Sequence, residues 1–437
     1  MTFRMVAPLS IPTHPWTPSL RQPLSRYSSA NPLGFGTALR AGEFRDIQRR
    51  LSLDCCKWDS QVGDVSTLFR QSLLIAADEW ARLRGLAEAL ASELDGAEQE
   101  LFLRPELHKM LGMPAPLRAV LKDARRRGAT PWPVRTMRFD FHYTHDGWQI
   151  SEVNSDVPGG YIEASAFTEM IAERVPHAKP VGNPARVWIE NVARAVGQSG
   201  CVALLSAIGF LEDQQVTAFL AKQLQQRGIR AVLLHHPTQL SWKAGRASAI
   251  VHGKRVEIGA VVRFYQGEWL ARLPTNSGWQ WLFARGKTPV TNPATAMLSE
   301  SKRFPLTWEF LSNQMNTWRT LLPECRDPKH ERRDSSGEWV LKMAYSNTGD
   351  EVHLRELMSP DSWLKLCRVV RRHPQHWILQ RRFHPRSIDS HAGPVYPCIG
   401  VYVIDGSVSG AYARVSTKPL IDFAAMDAAL LVEEKQC

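Results

Sequence analysis

The chain has little of the material that membrane-spanning and secreted proteins need. Its strongest apolar run covers residues 201–211, well short of the ~20 residues that cross a bilayer. Prolines interrupt the N-terminal residues at Pro8, Pro12, Pro15 and Pro18, so no apolar core of a secretory signal is visible. The seven cysteines are odd in number and lack metal-site spacing, which favours a reducing compartment over a disulfide framework. We therefore expect a cytoplasmic protein with no membrane partner.

Two common phosphate-binding loops are also missing. The tripeptide GKT at 286–288 ends like a P-loop, but Trp281 stands where the first glycine of that loop belongs. Gly34 and Gly36 lack the third glycine and the strand-to-helix context of a dinucleotide-binding loop. Both motifs therefore fail.

The charge balance is basic. Among 437 residues, 54 Lys and Arg oppose 43 Asp and Glu, for a formal net charge of +11. A hydrophobic share of 44% and a charged share of 22% lie near the globular averages of ~45–50% and ~25%, which excludes wholesale disorder. The charge favours anionic ligands. Because the basic runs are short and dispersed and the 15 tryptophans do not alternate with them, a nucleic-acid partner is not expected.

Periodicity divides the chain into four regions. Residues 1–64 are rich in Pro, Ser and Arg and predict an irregular arm. Residues 65–184 predict helices over 65–103 and 105–127, followed by a β-hairpin. Residues 185–290 contain a Rossmann-like strand–helix–strand unit, and residues 291–437 alternate helix and strand, with helices near 301–313 and over 359–372, strands over 339–343 and 376–382, and a final hairpin over 395–414. The fold class is α/β or α+β in more than one lobe.

Polar side chains are densest on the first hairpin, whose strands are predicted over 136–143 and 148–154. Glu152 and Asn154 lie two apart on a strand and therefore share a face. A two-residue Asp146-Gly147 turn would pair position 140 with 153 and turn Asp140 away from Glu152. A three-residue loop over 145–147 would instead pair 140 with 152 and 138 with 154, so that all four polar side chains share one face.

That second register would gather a hard-oxygen site. Asp140, Glu152 and Asn154 offer two carboxylates and an amide oxygen, a donor set that suits Mg²⁺. Arg138 beside them would stabilise the oxygens of a transferring phosphoryl group. A solvated hairpin with cross-strand ion pairs satisfies the same spacing, so the pattern alone leaves both interpretations open.

The hairpin sequence RFDF…EVNSDVPGG resembles the metal-binding hairpin of the glutathionylspermidine synthase family, whose ATP-grasp domain is circularly permuted. Further segments resemble that family in order and spacing: VRFYQGEW at 262–269, SESK at 299–302, WVLKM at 339–343, LQ at 379–380, and the closing hairpin at 399–404 and 409–414. The resemblance covers most of residues 70–432. Because only a poorly patterned stretch precedes it, we expect no amidase domain.

The resemblance implies an α/β (α+β) fold: a two-lobed, circularly permuted ATP-grasp with an embedded Rossmann-like pre-ATP-grasp subdomain at 185–290 and a nucleotide-binding lobe at 291–437. It implies that Asp140, Glu152 and Asn154 hold Mg²⁺ and that Arg138 contacts the acceptor carboxylate or the transferring phosphate. It implies contacts to ATP from four further residues, namely Lys302, Lys342, Gln380 and Arg414.

The implied reaction is ATP-dependent amide formation through an acyl phosphate, between a small-molecule or peptide carboxylate and an amine. One departure from the family pattern stands out. The loop after Lys342, residues 344–350, contains a single glycine, Gly349, where the family has a Gly-rich loop. The alternative function is therefore a catalytically degenerate ATP-grasp protein acting as a basic nucleic-acid-binding or scaffold module. A ligase requires the predicted site residues to converge on one cleft, and a binding module does not.

Overall fold

The largest sheet in the described part of the chain is antiparallel and carries the predicted hairpin. The computed structural model describes residues 31–62, 65–197, 200–330, 338–346 and 351–433. The strands of this central sheet lie in the order Met426–Ala428, Ser407–Ser416, Gly393–Ile404, Thr136–Thr144, Gly147–Asn154, with Ile388–Ser390 paired beside Gly393–Ile404. Alternation puts Phe139, Phe141 and Ile150 in one core with residues of the helix Ala77–Leu103. The polar residues of the hairpin therefore face the other way.

A parallel sheet forms the predicted Rossmann-like unit. Its strands lie in the order Val290–Thr291, Ala260–Phe264, Cys201–Ser206, Arg230–Leu234, and the helix Leu211–Gln226 connects the last two. The helix Pro184–Val196 precedes the unit, and an antiparallel sheet of Leu240–Lys243, Arg246–Val251 and Lys254–Glu257 is inserted after it. Ligands of parallel sheets bind at the carboxyl ends of the strands, which here lie after Ser206 and Phe264.

The third sheet, which we call the lysine lobe, carries Lys342. Its strands lie in the order Cys325–Arg326, Trp377–Arg381, Trp339–Met343, Val352–His353. Trp339, Leu341 and Leu379 on one face form a small core with the helix Pro360–Arg372, which begins after the capping hydroxyl of Ser359. The opposite face presents Lys342 and Gln380. The last four residues of the loop after Lys342, 347–350, lie outside the described residues, and so does Gly349 among them.

The prediction of an irregular arm over 1–64 is wrong for part of that segment. Leu33–Phe35 is a strand and Ala41–Asp54 is a helix that buries Phe44, Ile47 and Leu51. Those three residues have helical spacing, but they stand among arginines and other polar residues, which hid the period. Residues 1–30 lie outside the described residues.

The helix predicted over 65–103 begins only at Ala77. The residues before it include the strand Leu73–Ile75, which pairs with Leu33–Phe35 on one side and in parallel with Leu430–Glu433 on the other. Ala178–Pro180 completes this N-terminal sheet. A buried strand of three apolar residues has no period of its own, so the helical pattern extended over it.

The helix predicted over 105–127 is interrupted: Pro105–Lys109 is a 3₁₀ segment and Ala115–Arg127 is an α-helix. Among the short elements, Gln61–Val62 pairs with Val65–Ser66, and the short helices include Thr168–Ala172, Gly267–Leu270, Ala296–Ser299 and Asn316–Leu321. The helix predicted near 301–313 is a 3₁₀ segment, Phe304–Phe310, with a proline in its first turn. Within the described ranges, no helix has the length and apolar character needed to cross a membrane.

Candidate functional site

The hairpin reaches the predicted register by a route that neither predicted loop provides. Its turn has two residues, because Thr144 pairs with Gly147, which adopts φ +96°. A β-bulge at Ser151 then shifts the register by one residue, so that Asp140 lies opposite Glu152 and Arg138 opposite Asn154. All four polar side chains share one face, as the three-residue loop predicted. The bulge also turns the Ser151 carbonyl oxygen toward Lys342, whose Nζ donates to it at 2.9 Å.

Asp140 is fully buried between two arginines. Arg138 donates from Nε to Oδ1 at 2.9 Å and Arg414 donates to Oδ2 at 2.6 Å. Asn154 donates its amide to Oδ2 at 3.2 Å, which leaves the amide oxygen of Asn154 outside this bond. Burial alone would raise the pKa of Asp140, but the two guanidinium groups outweigh it and lower that pKa to about 2. The carboxylate is therefore ionised throughout the physiological range.

Glu152 faces two lysines, Lys342 of the lysine lobe and Lys302, which follows the helix Ala296–Ser299. Its Oε2 lies 3.3 Å from Lys302 Nζ, and Lys342 lies close enough to act on its charge. Burial opposes ionisation, but the two ammonium groups lower the pKa of Glu152 overall. In return, burial and the charge of Lys302 lower the pKa of Lys342 despite the nearby Glu152. Lys302 is held in place by the Ser346 carbonyl oxygen, which accepts from Nζ at 2.8 Å.

A cleft lies between the central sheet and the lysine lobe. Four predicted residues line it, namely Glu152, Lys342, Gln380 and Arg414, beside apolar side chains that include Val340, Leu354 and Ile421. Lys302 lines an adjoining cavity that shares Glu152, Lys342 and Gln380. Asp140, Asn154 and Arg138 line neither cavity and lie behind them. The structure thus gathers all eight predicted residues, five at the cavity walls and three beneath.

Two donors in this cleft lack a partner among the described residues. The Nε2 of Gln380, on a side chain only 3% exposed, and the Nε of Arg414 are buried without an acceptor. A buried donor costs about 1–3 kcal/mol when neither protein, water nor ligand satisfies it. Because both atoms are donors and the cleft is also rich in cations, a ligand that satisfied them would carry acceptors.

A second polar cluster lies on the other side of Arg138, and the sequence did not predict it. Arg138 NH1 donates to the Gly159 carbonyl oxygen at 3.0 Å, and a Cβ at Gly159 would lie 3.5 Å from Glu212 Oε1. Around Glu212 lie four more carboxylates and one lysine, which together we call the acidic cluster: Asp59, Glu163, Glu212, Asp213 and Asp427, with Lys57. Glu212 and Asp213 follow the carboxyl end of Cys201–Ser206, a position that the parallel-sheet rule marks as a ligand edge.

The family model described as glutathionylspermidine synthase preATP-grasp matches residues 48–428. The chain belongs to this family. The predicted recognition of the glutathionylspermidine synthase family is confirmed, and the predicted ATP-grasp fold class is confirmed with it. The family points to an ATP-grasp-like ligase.

Among solved structures, this glutathionylspermidine synthase family member resembles a glutathione synthetase-like effector, GSS30, from Globodera pallida in its apo form. The two share 13% sequence identity with a TM-score of 0.57, over 82% of this chain and 88% of the other. A protein assigned as a gamma-glutamylcysteine synthetase from Methylobacillus flagellatus also matches, at 13% identity and a TM-score of 0.39, over 74% and 84% of the two chains. No sequence among the curated proteins matches.

The residues present fit the ligands that this family implies. Asp140, Glu152 and Asn154 are oxygen donors of the kind that Mg²⁺ takes. The orphaned donors of Gln380 and Arg414 fit an acceptor-rich molecule such as ATP. With both carboxylates ionised, Arg138, Lys302, Lys342 and Arg414 still leave the site two charges positive, which suits a triphosphate.

Proposed function

We propose that this chain is an ATP-dependent carboxylate–amine ligase that forms an amide through an acyl phosphate. The observation that carries the proposal is the convergence of Asp140 and Glu152 with cations from three parts of the chain, Arg138, Lys302 with Lys342, and Arg414. A scaffold or nucleic-acid module has no use for buried carboxylates at the centre of a basic cleft. The convergence therefore favours the ligase.

The cleft divides into a part for the base and a part for the phosphates. Val340, Leu354 and Ile421 offer apolar contact to a purine, and the buried amide of Gln380 offers it a hydrogen-bond donor. Lys342, Lys302 and Arg414 would contact the phosphate oxygens. Mg²⁺ held by Asp140, Glu152 and Asn154 would neutralise charge on the triphosphate during transfer.

The proposed reaction has two steps. A carboxylate oxygen of the acceptor attacks the γ-phosphorus, the bond to the β-phosphate oxygen breaks, and ADP leaves. The amine nitrogen then attacks the acyl carbon, phosphate leaves, and the nitrogen gives up a proton to yield the amide. Arg138 lies beneath the cleft, between the proposed metal-binding face and the acidic cluster, so its charge would attract the acceptor carboxylate to the place where both steps occur.

The acidic cluster would bind the amine. Arg138 and Glu212 meet at Gly159, so an acyl group at Arg138 lies next to carboxylates that attract a cationic substrate. The burial of Asp213 and the neighbouring Glu212 raise the pKa of Asp213 well above its usual range, which marks a surplus of negative charge. An ammonium group would relieve that surplus.

The test is Mg²⁺-dependent ADP release across a panel of peptides and amines, together with ATP binding by calorimetry. We expect amine-stimulated ADP release that Glu152→Gln abolishes while the thermal midpoint stays within a few degrees. Glu257→Gln, on the exposed end of the strand Lys254–Glu257, is the matched control and should keep wild-type rates. Absence of both ATP binding and ADP release would refute the ligase, and wild-type turnover by Glu152→Gln would refute the metal-binding role of Glu152.

A further inference from the structure

We propose that Lys57 determines which amines the site accepts. Its ammonium fills the inner half of the acidic cluster, formed by Asp59, Glu163 and Asp427. The outer half, formed by Glu212 and Asp213, then accepts an amine with at most one positive charge besides its nucleophilic nitrogen. This inference rests on the proposed function, because it concerns the amine of that reaction. Lys57 comes from the segment after the helix Ala41–Asp54, far from the family's metal-binding hairpin along the chain.

The inner half of the cluster is already neutralised by the chain itself. Lys57 Nζ lies 2.5 Å from Glu163 Oε1, 2.9 Å from Asp59 Oδ1 and 3.7 Å from Asp427 Oδ2. The Lys57 side chain is 6% exposed, so its ammonium is fixed among the carboxylates and cannot swing into solvent without stranding them. A substrate ammonium at Glu163 would therefore have to share that carboxylate with Lys57.

In the outer half, Lys57 and Arg138 act on Glu212 only at longer range. Among the described residues, neither Glu212 nor Asp213 forms an ion pair, and Asp213 Oδ2 accepts only from the Gln266 amide at 3.3 Å. The other end of that amide points to a ligand: Gln266 Oε1 is buried without a donor, on a side chain only 6% exposed. A hydrogen-bond donor with positive charge would satisfy the orphaned acceptor and pair with the two carboxyl groups beside it.

The two halves make opposite demands on a polyamine. One ammonium fits at Glu212 and Asp213. A second would have to share the inner carboxylates with Lys57. Two ammonium groups bound to the same carboxylates lie within a few ångströms of each other, and their repulsion would weaken binding about tenfold or more. Without Lys57, five carboxylates would favour the amine with the most charges. Lys57 therefore reverses the order of affinity that the cluster would otherwise show.

The experiment compares 1,4-diaminobutane with spermidine by calorimetry on the full chain. We expect the wild type to bind the diamine at least about tenfold more tightly than the triamine, and Lys57→Met to bind the triamine more tightly than the diamine. Lys222→Met removes a lysine that caps the Asp54 carbonyl oxygen outside the cluster, and it should keep the wild-type order.

The wild type alone decides the proposal if Lys57→Met does not fold. Tighter binding of spermidine than of the diamine by the wild type overturns it, and so does failure to bind either amine. An unchanged order in a folded Lys57→Met overturns it as well. The double variant Lys57→Met/Glu163→Gln removes one charge of each sign and should gain less spermidine affinity than the single variant. ATP binding is measured on the same samples, and its loss would reject the ligase function without altering the ratio of the two amines.

Discussion

Lys302 Nζ lies 3.3 Å from Glu152 Oε2, so the proposed phosphate-binding lysine forms an ion pair with a proposed metal-binding carboxylate. Asp140 is held in the same way, with Arg138 on one oxygen and Arg414 on the other. Both carboxylates are therefore neutralised by the chain's own cations. A free divalent cation would enter a site that is already positive, whereas an anion would draw Lys302 and Arg414 away and expose the oxygens.

This arrangement predicts that the metal binds only together with nucleotide. We expect Mn²⁺, followed by electron paramagnetic resonance, to bind weakly or not at all at millimolar concentration without nucleotide and to bind at least about tenfold more tightly when ADP is present. Lys302→Met should strengthen the binding of Mn²⁺ alone. Equal Mn²⁺ affinity with and without ADP would contradict the prediction.

We predict that the charge of Lys342 lowers the stability of the nucleotide-free protein but strengthens ATP binding. Burial disfavours its charge in the folded protein, as the lowered pKa indicates, so Lys342→Met should raise the thermal midpoint in the absence of nucleotide. The same variant loses a point charge for the phosphates, so ATP affinity should fall at least tenfold, about 1.4 kcal/mol. Lys365→Met, on the exposed face of the helix Pro360–Arg372, should change neither quantity. A Lys342→Met protein that binds ATP normally would remove Lys342 from the phosphate site.

The depressed pKa of Asp140 makes its contribution to stability pH-dependent. The folded-state pKa of about 2 lies below the unfolded value of about 3.9, so the stabilisation is complete above that value and is lost as pH falls from about 4 to 2. Asp140→Asn leaves the buried Arg138 and the partly buried Arg414 without their anion and should cost about 3–5 kcal/mol in the free energy of unfolding at pH 7.

That cost should shrink as the pH is lowered toward 3, when measured by urea unfolding of the metal-free protein. Asp389→Asn replaces an exposed aspartate on a neighbouring strand and provides the control. A constant difference between wild type and Asp140→Asn from pH 7 to pH 3 would be inconsistent with the pairing of Asp140 to the arginines.

Deleting the bulge residue Ser151 tests the hydrogen bond from Lys342 to its carbonyl oxygen without changing the pairing of Asp140 with Glu152. Deleting Ser151 places Glu152 directly after Ile150, which keeps Asp140 opposite Glu152 but removes the carbonyl that holds Lys342. We expect the deletion variant to fold with a thermal midpoint near that of the wild type and to bind ATP several-fold less tightly. Ser151→Ala keeps the carbonyl and should bind ATP normally. Equal ATP affinity in both variants would show that Lys342 needs no such support.

The sequence predicted which hairpin side chains share a face, but it did not predict the turn and the bulge that bring them there. Asp140, Glu152 and Asn154 lie within one hairpin, where a period of two fixes which side chains share a face. The bulge left no trace because Ser151 fits a regular strand as well as a bulged one. The acidic cluster was beyond prediction for a different reason: Lys57 and Asp427 come from opposite ends of the chain, and no spacing relates residues that only the folded sheets bring together.

The same limit applies to the segments that carry these residues. Phe44, Ile47 and Leu51 have too few apolar neighbours to reveal the helix Ala41–Asp54. Leu73–Ile75 is a strand because Leu430–Glu433 and Leu33–Phe35 pair with it, which is information held elsewhere in the chain. Long elements with one buried face, such as Ala77–Leu103 and Pro360–Arg372, were visible because their pattern is local.

The parallel pairing of Leu430–Glu433 with Leu73–Ile75 also has a consequence for folding. Leu430–Glu433 lies inside the N-terminal sheet, between Leu73–Ile75 and Ala178–Pro180, so this sheet closes over a loop that includes both other sheets that carry the site. Because pairing over such a long separation has a high entropic cost, we expect this sheet to form late, after the more local sheets.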